Sequence, residues 1–195
     1  MRELKGAFTA LITPMKDNGD VDYDGFKKLI NFQLEAGIDG IVPIGTTGEA
    51  PTLSEAEEEA LIRIAVDEAG GKVPVIIGTG SNNTKCMLKY TQAAKDLGAD
   101  IAMVVTPYYN KPNDDGLVRH FEAAAAVGIP ILVQHRLQNR AEYPHGAYGK
   151  DRRNSRHHRR KRGFRRHWAD GGGAAGNIVP APDGGQSLLG AFRGR

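Results

Sequence analysis

Gly40-Ile41-Val42-Pro43-Ile44-Gly45-Thr46-Thr47-Gly48-Glu49 is the stretch that decides the fold. A nearly all-apolar run enters a glycine-bounded turn, and a helix start follows within a few residues. Ser54 stands before the acidic residues Glu55, Glu57, Glu58 and Glu59. A serine hydroxyl caps the free N–H groups of a first helical turn, and carboxylates suit the positive end of a helix dipole. Leu61, Ile62, Ile64 and Ala65 then supply apolar residues at helical spacing, and Gly70-Gly71 stop the helix. A strand that is apolar on both faces must be covered on both faces, which implies a parallel sheet with helical crossovers.

The same unit recurs in both directions from this stretch. Upstream, residues 7–14 (AFTALITP) form a strand signal, and residues 22–37 carry a stripe of Phe26, Leu29, Ile30 and Leu34. Gln33 interrupts that stripe, Phe32 lies to one side, and Gly37 ends the helix. Downstream come strand 73–78, helix 84–97 ended by Gly98, strand 101–106, helix 114–127 ended by Gly128, and a short strand 130–133. Four and a half βα units suit a (β/α)8 TIM barrel better than a nucleotide-binding sheet. No Gly-x-Gly-x-x-Gly follows the first strand, so a dinucleotide cofactor has no support. A full barrel takes eight strands and typically ~250 residues. The expectation is therefore an α/β chain holding the N-terminal half of a TIM barrel over residues 1–133.

At Val133/Gln134 the periodicity gives way to Arg/His/Gly-rich text such as Arg156-His157-His158-Arg159-Arg160-Lys161-Arg162. The formal charge of +3 conceals this division. Residues 1–133 hold 12 Lys/Arg against 19 Asp/Glu, a net −7, and residues 134–195 hold 14 against 4, a net +10. The pI near 9.0 thus describes the tail rather than a basic domain. Low apolar content and like charge do not offset the entropy of ordering a chain, so residues 134–195 are expected to be an irregular, disordered tail. A barrel stopped after its fifth strand would leave two open sheet edges. The single cysteine, Cys86, permits no intrachain disulfide and suits a reducing compartment; it reads as a passive thiol. With no signal-like N-terminus and no run near the ~20 apolar residues of a membrane span, a soluble cytoplasmic protein is expected.

Working residues of a parallel barrel sit on the loops after the C-terminal ends of its strands. Gly45-Thr46-Thr47-Gly48 takes that position after the second strand. Its glycines let the backbone approach a ligand and aim N–H groups at an anion, and two hydroxyls could grip a small carboxylate. A plain strand-to-helix turn is the competing reading. Tyr108-Tyr109 follows the fourth strand; a phenol is a poor acid at its reference pKa of about 10, yet it relays protons when linked to another hydroxyl. Packing or an oligomer contact explains such a pair equally well. Lys111 reads as solvated, His120 as a surface residue on a helix face, and the run Glu55 to Glu59 as a helix start.

Taken in order, GAFTALITP, GTTGEAPTLSEAE, PVIIGTGSNNT, TPYYNKP and IPILV resemble the dihydrodipicolinate synthase family, within the pyruvate-dependent aldolases that include N-acetylneuraminate lyase. The resemblance spans Gly6 to Val133, and TPYYNKP favours the synthase branch. It implies a lyase of lysine (diaminopimelate) biosynthesis that condenses pyruvate with aspartate semialdehyde through a lysine Schiff base, with no cofactor and no metal. Thr47, with Gly45, would hold the pyruvate carboxylate, and Thr46 and Tyr109 would belong to a proton relay. Tyr109 would reach its relay across a subunit interface, so a homo-oligomer, usually a tetramer, is implied. Glu55 and Glu58 stand where some lysine-inhibited members carry histidines, which argues weakly against feedback by lysine.

After Ile-Leu-Val the family continues with Tyr-Asn-Ile-x-x-Arg-Thr-Gly and later Gly-x-Lys-Glu-x-Ser-Gly-Asp, which supply the relay tyrosine, a substrate-holding arginine and the Schiff-base lysine. Here Gln134 replaces the tyrosine and neither motif follows. Lys161 is the lysine nearest the expected place, and like charges surround it in sequence. Read one base later, the codons for residues 134–175 permit both missing motifs in order, which points to a frameshift at Gln134. Residues 134–195 then have no counterpart in the family, and the chain as translated would be inactive. Two other readings compete: a sister aldolase acting on a different aldehyde, or a non-enzymatic fragment whose Arg/Lys-rich residues 150–168, with Phe164 and Trp168, bind nucleic acid. The frameshift reading sets the nucleic-acid arm aside, and no membrane partner is expected.

Overall fold

A computed structural model describes residues 4–134 and 177–179. Its elements alternate as the sequence predicts: β1 (Phe8–Ala10), α1 (Tyr23–Glu35), β2 (Gly40–Val42), α2 (Glu55–Ala69), β3 (Ile76–Gly78), α3 (Thr84–Asp96), β4 (Ile101–Val105), α4 (Asp114–Ala126) and β5 (Ile131–Gln134). A short 3-10 turn, Ala50–Thr52, precedes α2. β1 pairs with β2, β3 with β4 and β4 with β5, all parallel. A parallel bridge between Ile41 and Val75 joins the two sheets, so the strands stand side by side in chain order. Each βα unit advances one strand, as in an arc of a barrel.

The helices match their sequence signals because each carries its own cap. The Asp22, Ser54, Asn83 and Asn113 side chains accept from the first-turn N–H groups of α1, α2, α3 and α4. At α2 the cap is reciprocal, since the Glu57 carboxylate returns to the Ser54 N–H at 2.8 Å. The strands are shorter than their apolar runs. Residues 40–45 yield only Gly40–Val42, because Pro43 has no N–H to donate and Ile44 turns to a positive φ of 55°. Gln134, by contrast, stays in β5 opposite Val105, so the sequence break falls inside the last parallel strand.

Alternate strand residues feed two cores between sheet and helices. Leu11, Ile41, Val75 and Ile77 pack with Phe26, Ile30, Leu61, Ile62 and Ala65 from α1 and α2. Ala102, Val104, Ile131 and Val133 pack with Met87, Leu117, Phe121, Ala124 and Ala125 from α3 and α4. The opposite sheet face is only partly covered; Ile12 is 55% exposed. Phe32 lies off the buried stripe as expected and is exposed.

Asn177–Val179 forms β6, antiparallel to β5, an element that the sequence does not announce. It covers the β5 edge expected to stand open. Lys161, the basic run 150–168 and the remainder of the tail lie outside the described residues. No helix among the described residues is long and apolar enough to cross a membrane.

Candidate functional site

The loops after β2, β3 and β4 gather at the C-terminal end of the sheet. After β2 the chain makes two overlapping turns: the Gly48 N–H donates to the Gly45 carbonyl (3.1 Å), and the Glu49 N–H to the Thr46 carbonyl (3.2 Å). Ile44 (φ 55°) and Glu49 (φ 54°) bracket these turns in the left-handed region. That region is costly for a β-branched residue, so the surrounding structure must impose it. Gly48 sits so close to the backbone that an added Cβ would lie 3.1 Å from both the Leu11 carbonyl oxygen and the Ile44 nitrogen. Its carbonyl accepts a 2.7 Å hydrogen bond from the Thr13 hydroxyl, which is buried just beyond β1. Gly45 and Gly48 are buried, while Thr46 and Thr47 are exposed. The outcome is a rigid turn that offers two adjacent hydroxyls to solvent.

After β4, the Asn110 N–H donates to the Tyr108 carbonyl at 2.8 Å, closing a tight turn around Tyr109, whose φ is 66°. The Asn110 side chain donates to the Asn82 carbonyl (3.0 Å), which ties this loop to the one after β3. Tyr109 is thereby aimed away from its own chain and is 92% exposed. Gly45, Thr46 and Thr47 thus lie together on one turn, and Tyr109 stands at the same end of the sheet. No hydrogen bond joins the Tyr109 phenol to either threonine among the described residues.

Two features depart from the sequence reading or escape it. His120 is buried (4% exposed) rather than at the surface. It lies one turn from Leu117 and Ala124 on the face of α4 that meets the core, and that spacing carried the signal. Its Nδ1 lies 2.9 Å from the Thr84 hydroxyl, its Nε2 has no partner, and burial holds its pKa below the ordinary histidine value. Glu58, read as part of a helix start, also lies over the stripe of Leu61, Ile62 and Ala65. It lines a crevice between α2 and α3 together with Glu55, Glu59, Lys89 and Tyr90. Burial, and then the neighbouring Glu55 carboxylate, push its pKa up to about 7. Lys89 does not neutralise it; the ammonium is 2.6 Å from Glu55 instead.

The described lysines are all exposed. Lys111 is among them, as expected. A Schiff-base amine needs a dry pocket that lowers its pKa, and the pKa of Lys89 is shifted upward, chiefly by its hydrogen bond to Glu55. No three His, Cys, Asp or Glu side chains converge on a metal-sized site among the described residues.

Residues 3–136 match the model of the dihydrodipicolinate synthetase family. The chain is 54% identical over 129 residues to the 4-hydroxy-tetrahydrodipicolinate synthase of Jannaschia sp. (strain CCS1), covering 66% of this chain and 44% of that protein. It is 56% identical over 130 residues to the enzyme of the same name from Maridesulfovibrio salexigens, again covering 66% and 44%. Its fold superposes with a TM-score of 0.66 on the chloride-inhibited dihydrodipicolinate synthase from Acinetobacter baumannii complexed with pyruvate, at 45% identity over 67% of this chain and 45% of that one. The chain spans less than half the length of these relatives. On the order of its strands, its capped crossovers and the turn after β2, this chain belongs to the dihydrodipicolinate synthetase family and carries the N-terminal half of its TIM barrel.

Proposed function

We propose that this chain provides the pyruvate-gripping half of a 4-hydroxy-tetrahydrodipicolinate synthase, a lyase that joins pyruvate to aspartate semialdehyde in lysine biosynthesis. The observation that carries this reading is the turn after β2. Its backbone is fixed by left-handed residues on both sides, and it presents Thr46 and Thr47 as neighbouring exposed hydroxyls. Thr47, with the backbone of Gly45, accommodates the pyruvate carboxylate, because hydroxyl and N–H donors are stronger toward an anion than toward a neutral group. Thr46 passes a proton to a phenol. Tyr109 supplies that phenol to a neighbouring subunit, since it is 92% exposed and its phenol is bound to neither threonine among the described residues. A homo-oligomer, a tetramer in the complete form, is the assembly in which such an outward tyrosine becomes useful. The solved relative from Acinetobacter baumannii, complexed with pyruvate, supports the choice of ligand.

The covalent step requires an amine that the described residues do not offer, because their lysines are exposed to water. Half a barrel therefore binds pyruvate without forming a Schiff base. Titrating carbon-13-labelled pyruvate into the 195-residue chain, followed by NMR, tests the first statement. Binding that weakens at least fivefold in Thr47→Ala supports the reading, on the scale of one lost hydrogen bond to a charged group, about 1.5–3 kcal/mol. Equal binding by both proteins refutes it. Borohydride reduction in the presence of pyruvate tests the second statement, and a pyruvate-derived mass on any lysine, Lys161 included, overturns it.

A further inference from the structure

Among the described residues, Thr13 makes the one side-chain hydrogen bond to the backbone of the turn after β2 from another part of the fold. Its hydroxyl donates 2.7 Å to the Gly48 carbonyl across 35 residues of chain, and both partners are buried. The Gly48 carbonyl belongs to the peptide that links Gly48 to Glu49. On one side of that peptide, the Gly48 N–H is bound to Gly45; on the other, the Glu49 N–H is bound to Thr46. A donor that fixes this peptide plane therefore fixes the closing end of both turns that contain Thr46 and Thr47.

The need for such a donor follows from strain. Ile44 and Glu49 both hold positive φ without the glycine that would make it cheap. Gly48 is tightly enclosed, with Leu11 and Ile44 backbone atoms 3.1 Å from where a Cβ would be. Leu11, one of the two residues that crowd Gly48, lies in the same segment as Thr13, just beyond β1. Strain of this kind relaxes unless an outside contact opposes it, and an unsatisfied buried carbonyl adds a further penalty.

We propose that Thr13 is a positioning residue for the carboxylate-binding turn, holding the Gly48–Glu49 peptide so that the Thr46 and Thr47 hydroxyls keep a single orientation toward the ligand. The ligand half of this statement rests on the pyruvate reading above; the turn half does not. Thr13 touches no substrate and acts only through the turn.

The test compares Thr13→Val and Thr13→Ser in the full 195-residue chain by two measurements. The first is hydrogen exchange at the Gly48, Glu49 and Ala50 amides, and the second is the NMR titration with pyruvate. Valine keeps the shape and removes the donor; serine keeps the donor and removes the methyl group. We expect Thr13→Val to speed exchange at the three turn amides and weaken pyruvate binding, each roughly tenfold, the scale of a buried carbonyl left unpaired. Amides of α1 to α4 stay unchanged, and Thr13→Ser stays within about threefold of the parent protein, since it keeps that hydrogen bond. Unchanged turn exchange in Thr13→Val overturns the proposal. So does equal damage in both variants, which assigns the effect to methyl packing, or a uniform rise across all four helices, which marks a merely structural role. If the parent protein does not bind pyruvate, the functional reading fails, and the exchange measurement still decides whether Thr13 holds the turn.

Discussion

Replacing Glu58 by glutamine should stabilise this chain above neutral pH and leave it unchanged in acid. Glu58 is half-buried in the α2–α3 crevice, its pKa raised to about 7 by burial and then by Glu55. The crevice also presents Glu59 from α2 and Lys89 and Tyr90 from α3, and Lys89 is bound to Glu55 rather than to Glu58. The folded-state pKa lies above the unfolded value of 4.5. The carboxyl is thus protonated in both states below the unfolded value, and its cost to folding grows as pH rises from 4.5 to about 7 and is complete above that. At 1.36 kcal/mol per pKa unit the full penalty is on the order of 3 kcal/mol, and screening of a partly exposed group reduces it to about 1–2 kcal/mol. Glutamine keeps the shape and carries no charge at any pH. Urea unfolding followed by helical circular dichroism at pH 4.5 and pH 8 should show Glu58→Gln gaining about 1–2 kcal/mol at the higher pH alone. A gain of equal size at both pH values, or a loss at pH 8, would refute the reasoning.

His120 should act in the opposite direction. Burial holds its pKa below the ordinary value, so the unfolded chain takes up its proton first, and stability falls as pH drops below about 6.5. His120→Gln should flatten the pH dependence of urea unfolding between pH 7 and 5; an unchanged slope would remove His120 from the account. Ser54→Ala should cost about 1 kcal/mol by opening the reciprocal cap of α2, seen as faster amide exchange in its first turn. Phe121→Ala, at a site only 2% exposed between α4 and the sheet, should cost about 3–5 kcal/mol, read as loss of most of the helical signal at ambient temperature.

Helix positions were legible because each helix is written locally, with a capping residue, an apolar stripe and a glycine beyond its end. Asp22, Ser54, Asn83 and Asn113 cap where their residue types suggest. Strand lengths were less legible, because an apolar run does not reveal that Pro43 and a left-handed Ile44 end the hydrogen-bonded ladder early. The turn after β2 was visible in Gly45-Thr46-Thr47-Gly48, yet the Thr13 hydroxyl that donates to it was not. A hydrogen bond across 35 residues leaves no periodic trace.

By itself, the sequence determined the class of fold, the order of its units and the family, since these depend on patterns that repeat within a few turns of chain. Tertiary structure alone decided which polar groups were forced out of water. His120 and Glu58 look like surface residues in the sequence. His120 became buried and Glu58 half-buried because their helices turned those faces inward, and desolvation then moved their proton affinities in opposite directions.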